Sequence, residues 1–135
     1  MTEIAQIVIY LDSSVVLARL FAEGRQLPGQ AWHEALTSSL LLQFEVWNRL
    51  HARGMNEERE QHARHLLGRV QLIDLAPHVL ARALKPFRTD VRTLDALHLA
   101  TMEYLRREGA SIELATFDSR MIVAARTLGI AIYTG

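Results

Sequence analysis

The chain has no cysteine among its 135 residues. Disulfides, zinc–thiolate sites and thiol catalysis are therefore excluded, and the composition fits a reducing cytoplasm. Proline is scarce, at three residues. Lysine is scarcer: of the 15 basic residues only Lys85 is lysine. Arginine suits phosphate through its planar fork, although genome composition is the plainer explanation of the bias. The formal net charge is zero, so the basic excess usual in a general polyanion binder is missing. Long apolar runs are missing too; no segment approaches the roughly 18 apolar residues of a membrane span. The opening MTEIAQIVIYLDSS carries Glu3 early and lacks a basic n-region, which does not read as a signal peptide. Several chemical signatures are also absent. There is no G-x-x-x-x-G-K loop, no G-x-G-x-x-G turn, no G-x-S-x-G elbow and no H-E-x-x-H helix.

What is present is a core and an alternating pattern. Half the residues are hydrophobic, and the length suits one domain, residues 1–135, with a core of its own. Ile7 to Leu11 is a β-branched-rich run read as a buried strand. Asp12-Ser13-Ser14 can cap a helix over Val15 to Ala22. A short helix at Ala31 to Ala35 and a strand at Leu36 to Ser38 follow. Ser38 or Ser39 caps a helix from Leu40 to Arg53 that stops at Gly54. The remaining segments predict a helix from Asn56 to Arg69, a strand from Val70 to Leu75 and a helix from Pro77 to Leu84. After a polar loop, Thr93 caps a helix to Glu108; Ile112 to Thr116 is a strand, Ser119 to Leu128 a helix, and Ile130 to Tyr133 a last strand. Strands alternating with helices predict an α/β fold with a parallel sheet covered on both faces.

Against this background four carboxylates stand out. Asp12 and Asp118 each end a strand and start a helix, Asp95 lies near a helix start, and Glu45 lies inside an apolar helix. Open α/β sheets bind ligands beyond the carboxyl ends of their strands. Acids delivered there can form a cup of hard oxygen donors suited to a divalent cation and to metal-assisted phosphate-ester chemistry. Each has a plainer reading. Asp12 and Asp118 are natural N-caps, and Asp95 complements a helix dipole. Glu45 could pair on the surface with Arg49 at i+4, but its helix is apolar on nearly every other side, which predicts a sandwiched helix. His98, at i+3 from Asp95, is within reach of that carboxylate and is read as structural. His62 and His65 read as solvated helix residues.

Taken together, Tyr10-Leu-Asp-Ser-Ser14, Ser39 to Glu45, Thr93-Leu-Asp-Ala-Leu-His-Leu-Ala100 and Leu114-Ala-Thr-Phe-Asp-Ser-Arg120, with Ala124-Ala-Arg-Thr-Leu-Gly129 after it, resemble the PIN-domain ribonucleases. The likeness is to the VapC-type toxins of toxin–antitoxin pairs and covers nearly the whole chain. It implies a PIN-like three-layer α/β/α sandwich around a mostly parallel sheet of four to five strands. It implies an acidic quartet of Asp12, Glu45, Asp95 and Asp118 holding Mg²⁺ or Mn²⁺, with Gln43 and Asn48 as uncharged rivals for Glu45. Ser14 takes the small hydroxyl position that orients water or an acid. Ser119 and Arg120 stand where some members place a further acid or amide. The implied activity is endoribonucleolytic hydrolysis of RNA in the cytoplasm, leaving a 5′-phosphate and a 3′-hydroxyl. The implied partners are RNA, a cognate antitoxin and a second copy of the chain. Arg88, Arg92 and Arg120 are candidates for the cationic rim that RNA requires. Trp32, Phe44 and Trp47 are large apolar groups where a partner could dock, although core packing is the plainer use of Phe44 and Trp47.

Two other classes compete. A PIN-like module could bind RNA or a protein without cutting, but an idle cluster of four acids would only repel itself. Haloacid-dehalogenase enzymes also begin with strand-then-Asp, yet they want a second Asp where Ser14 stands. Response receivers want a late lysine, and Lys85 is the only lysine.

Overall fold

The computed structural model describes residues 6–135; Glu3, which weighed against a leader, lies outside them. The chain alternates as the pattern predicts: β1 (Ile7–Leu11), α1 (Ser13–Leu20), β2 (Leu36–Ser39), α2 (Leu41–Arg53), α3 (Glu57–Gly68), β3 (Val70–Ile73), α4 (Pro77–Ala83), α5 (Thr93–Arg107), β4 (Ser111–Ala115), α6 (Ser119–Thr127) and β5 (Ala131–Ile132). The five strands form one parallel sheet in the order β3-β2-β1-β4-β5. The chain winds outward from β1 to β3 and then crosses to the other side of β1. The topological switch point therefore lies between β1 and β4, where open α/β sheets form their ligand crevice.

Strand alternation divides the core into two layers. On β1, Ile9 and Leu11 pack with α1, α2 and α3 through Val15, Val16, Leu42, Val46, Leu50, Ala63 and Leu66. Tyr10, between them in sequence, points into the other layer with Leu99 and Met102 of α5 and Met121, Ala124 and Ala125 of α6. Helices thus cover both faces, as the three-layer expectation holds. No helix of the described residues is long and apolar enough to cross a membrane.

Local differences have physical causes. The short helix expected at Ala31 to Ala35 is a 3-10 turn over Gly29–His33 that buries Ala31 and Trp32. Leu40, not a serine, is the N-cap of α2, yet Ser39 Oγ still accepts the Leu41 N–H at 3.1 Å. Likewise Arg92 rather than Thr93 precedes α5, with no side-chain cap. Gly54 ends α2 as expected, with φ at +110° and its N–H on the Leu50 carbonyl; a side chain there would be strained. The sandwiched reading of α2 is overturned. The helix buries only Leu42, Val46 and Leu50, and Phe44 is 62% exposed rather than part of the core. Trp47 packs partly against the core, as expected.

Candidate active site

The carboxyl ends of β1 and β4 lie side by side, Leu11 opposite Ala115. The next residues of each strand therefore emerge together. Asp12 follows β1, is buried, and caps α1. Its Oδ2 accepts three hydrogen bonds: from Ser14 Oγ at 2.6 Å, from Thr116 Oγ1 at 2.7 Å and, longer, from the Ser14 N–H at 3.4 Å. Oδ1 has no protein partner among the described residues. The two hydroxyls are themselves held by the backbone that follows β4. Ser14 Oγ accepts the Phe117 N–H at 2.9 Å, and Thr116 Oγ1 accepts the Asp118 N–H at 3.0 Å. Asp118 then caps α6 through Oδ1, which accepts the Arg120 N–H at 2.9 Å. Both aspartates are N-caps, as the plainer reading had it, and both face one cleft. Capping and a place in the cleft do not exclude each other, because a capped carboxylate keeps a second oxygen.

Asp95 lies in the first turn of α5. Arg92, one turn earlier and 63% exposed, spans two of the acids: Nε stands 3.5 Å from Asp95 Oδ2 and Nη2 3.4 Å from Asp118 Oδ2. Glu45 enters from α2 on the opposite layer. It makes no pair with Arg49; its Oε1 lies 2.6 Å from His98 Nε2. His98, fully buried, does not bond Asp95 as its spacing allows. Its Nδ1 lies 2.7 Å from the Tyr10 hydroxyl, and that hydroxyl accepts the Ser39 N–H at 3.1 Å. Burial above all pushes the Tyr10 hydroxyl well above the usual tyrosine range; the Glu45 charge acts in the same direction, against the hydrogen bonds of Ser38, Ser39 and Thr101.

All four acids, with Ser13, Ser14 and Arg92, line one cleft of about 430 Å³. The chemistry of the lining fits a hard divalent ion, since the donors are carboxylate oxygens and one arginine is the cation among them. The side chains are not gathered for coordination: among the described residues no three of His, Asp or Glu are grouped to hold an ion. Binding would have to draw the carboxylates inward and release Arg92 from Asp95 and Asp118. A second groove of about 750 Å³ shares Ser14, Glu45, Arg92 and Asp118 with the cleft and adds Arg25, Arg49 and Arg53. These three were not picked from the sequence as rim cations; Arg92 was. Arg120 lines a different groove with Arg92 and Asp95. Thr116 is a further contributor that sequence reasoning passed over, and His98, read there as structural, holds Glu45 rather than Asp95. The signal for Thr116 was its place at the end of a strand beside Asp118.

Residues 9–127 match the profile of the PIN domain, and the chain belongs to that family. Among curated relatives, Ribonuclease VapC46 of Mycobacterium tuberculosis (strain ATCC 25618 / H37Rv) is 35% identical over 130 residues, spanning 92% of this chain and 95% of the relative. Ribonuclease VapC47 of M. tuberculosis (strain CDC 1551 / Oshkosh) is 27% identical over 128 residues, spanning 90% and 92%. Among solved structures, a toxin–antitoxin complex from Klebsiella pneumoniae superposes with a TM-score of 0.61 at 20% identity, covering 93% of this chain and 96% of that one. M. tuberculosis VapC20, described as a Sarcin-Ricin loop cleaving toxin, superposes with a TM-score of 0.62 at 18% identity, covering 86% and 94%. At such identities the two structures speak for the fold.

Proposed function

We propose that this chain is a Mg²⁺- or Mn²⁺-dependent endoribonuclease of the cytoplasm and the toxin of a VapBC-type toxin–antitoxin pair, with residues 1–135 acting as one PIN domain. The observation that carries the reading is the convergence of Asp12, Glu45, Asp95 and Asp118 on one cleft at the switch point of a parallel sheet. Membership of the PIN family and similarity to two proteins named as ribonucleases supply the substrate class.

In this reading Asp12, Asp95 and Asp118 hold the ion, directly or through water, and Glu45 is a further ligand or orients water. A bound divalent ion supplies neutralisation of the clustered charge, polarisation of the phosphodiester and a lower pKa for the attacking water. Ser14 and Thr116 fix Asp12 by occupying Oδ2, which would leave Oδ1 available as a donor to a bound ion. Arg92, released from Asp95 and Asp118, becomes free to pair with the substrate phosphate. Arg25, Arg49 and Arg53 extend the cationic lining along the adjoining groove. RNA is attracted by this rim and held off by the bare acids, so a metal bridge is required. A cognate antitoxin covering the cleft, and pairing of two copies of the chain, belong to the same proposal. A monomer in size-exclusion measurements removes the second copy.

The test is cleavage of an end-labelled structured RNA in Mn²⁺ and in EDTA, with the new ends identified. Metal-dependent cutting with 5′-phosphate and 3′-hydroxyl products is expected. A 2′,3′-cyclic phosphate would sink the metal-and-water mechanism. Folded protein that shows no Mn²⁺-dependent rise in melting temperature would favour a non-cutting PIN-like binding module.

A further inference from the structure

Tyr10, His98 and Glu45 form an unbroken hydrogen-bonded chain from the sheet to the cleft. It starts at the Ser39 N–H, where β2 ends, passes through the Tyr10 hydroxyl at 3.1 Å and His98 Nδ1 at 2.7 Å, and ends at Glu45 Oε1, 2.6 Å from Nε2. Tyr10 and His98 are sealed from solvent, and Glu45 is the one member that lines the cleft. The chain joins both layers, since Tyr10 and α5 pack on one face of the sheet and α2 on the other. Its direction follows from chemistry. A carboxylate offers only acceptors, so His98 Nε2 carries a hydrogen and donates it to Oε1. In a neutral imidazole Nδ1 is then the acceptor, so the Tyr10 oxygen takes the Ser39 N–H and turns its own hydrogen toward Nδ1. Both ring nitrogens are then committed, and His98 is no ligand itself.

We propose, on the nuclease reading above, that His98 is a positioning residue: oriented by Tyr10, it pins Glu45 Oε1 and thereby aims Oε2 into the cleft. The two other routes by which Glu45 could be fixed are absent among the described residues. It has no ion pair with Arg49, and its neighbours on the exposed side of α2, Phe44 and Asn48, do not hold it. A glutamate on a half-exposed helix would otherwise sample several rotamers. Partners that orient a ligand in this way typically change metal affinity or activity about 10- to 100-fold when removed.

The experiment uses the full chain. His98→Leu keeps the volume and removes the donor. It is expected to lower kcat for Mn²⁺-dependent cleavage about 10- to 100-fold, to raise the Mn²⁺ concentration needed to lift the melting temperature, and to leave KM for RNA nearly unchanged. His98→Gln, whose amide still donates, is expected to regain most of both. In a Glu45→Gln background His98→Leu is expected to add little, because the two act as one unit. Nitrogen NMR of the imidazole reads the geometry in the wild type, with hydrogen expected on Nε2. A folded His98→Leu variant with unchanged activity and Mn²⁺ response would overturn the proposal. So would equal losses in His98→Leu and His98→Gln, or an imidazole protonated only at Nδ1. A wild type that neither cuts nor responds to Mn²⁺, with Nε2–H intact, would instead bring down the nuclease reading and the positioning role with it.

Discussion

At the scale of single residues, the site depends on small hydroxyls placed against carboxylates. Thr116 donates to Asp12 Oδ2 at 2.7 Å and accepts the Asp118 N–H at 3.0 Å, so one side chain ties two acids together. Thr116→Val preserves shape and β-propensity but deletes both bonds. Its expected cost in stability is about 1 kcal/mol. Its expected cost in Mn²⁺-dependent cleavage is larger, about tenfold or more. Urea denaturation and cleavage rates, measured side by side, separate the two. Tyr10 gives a second prediction at this scale. Its hydroxyl is raised above the ordinary range by burial. Above about pH 10 the unfolded chain releases this proton while the folded chain keeps it. The folded state then binds more protons, and stability falls as pH rises, whereas below that range the contribution is intact. Urea midpoints between pH 9 and 11 are expected to fall in the wild type and to fall less in Tyr10→Phe. Equal slopes in the two proteins would contradict the buried, protonated hydroxyl.

At the scale of elements, α2 separates what was legible from what was not. Its existence and its stop at Gly54 follow from periodicity and a helix-ending glycine. Its solvent face does not. Leu40 to Leu50 is rich in apolar residues, and local sequence cannot reveal that Phe44 points outward while Leu42, Val46 and Leu50 point in. The contrast sets a measurable asymmetry: Leu50→Ala is expected to cost about 2–5 kcal/mol, whereas Phe44→Ser is expected to stay within about 0.5 kcal/mol. Chemical denaturation of both variants checks it. Asp12 and Asp118 were legible because strand-then-Asp-then-helix is a local pattern that a parallel sheet repeats on one edge. His98 was legible only as a structural histidine within reach of Asp95. Its partners, Tyr10 and Glu45, lie 88 and 53 residues away in sequence, and no local period encodes contacts of that range. The missed arginines have the same cause, for Arg25 comes from the loop after α1 and Arg49 and Arg53 from the outer side of α2.

At the scale of the whole molecule, a neutral chain still organises its charge. Asp12, Glu45, Asp95 and Asp118 gather in the cleft with Arg92 as their one cation, and the groove that opens from it adds Arg25, Arg49 and Arg53 against one further acid, Glu23, which pairs with Arg53. Net charge is therefore a poor guide to the local field, since a cleft focuses what its own walls carry. If RNA lies along this groove, each arginine that meets a phosphate contributes to the salt dependence of binding. Arg49→Gln is expected to weaken RNA binding across sequences and to reduce the slope of log K against log salt by about 1. Filter binding in Ca²⁺ at several salt concentrations reads this, and an unchanged slope would move the RNA path elsewhere.

The claim on which the rest depends is that the four carboxylates work as one metal-dependent cutting site. Single-turnover cleavage of structured RNA in Mn²⁺ by wild type and by Asp95→Asn tests it most directly, with circular dichroism confirming that both are folded. Asp95 is the choice because, among the described residues, its carboxylate caps nothing and pairs only with Arg92, so the substitution removes charge with little structural consequence. The expected result is metal-dependent cutting by the wild type and loss of at least about a hundredfold in the variant, in line with removal of a group that acts in the transition state. Equal rates in the two proteins, or cutting that persists in EDTA, would contradict the account.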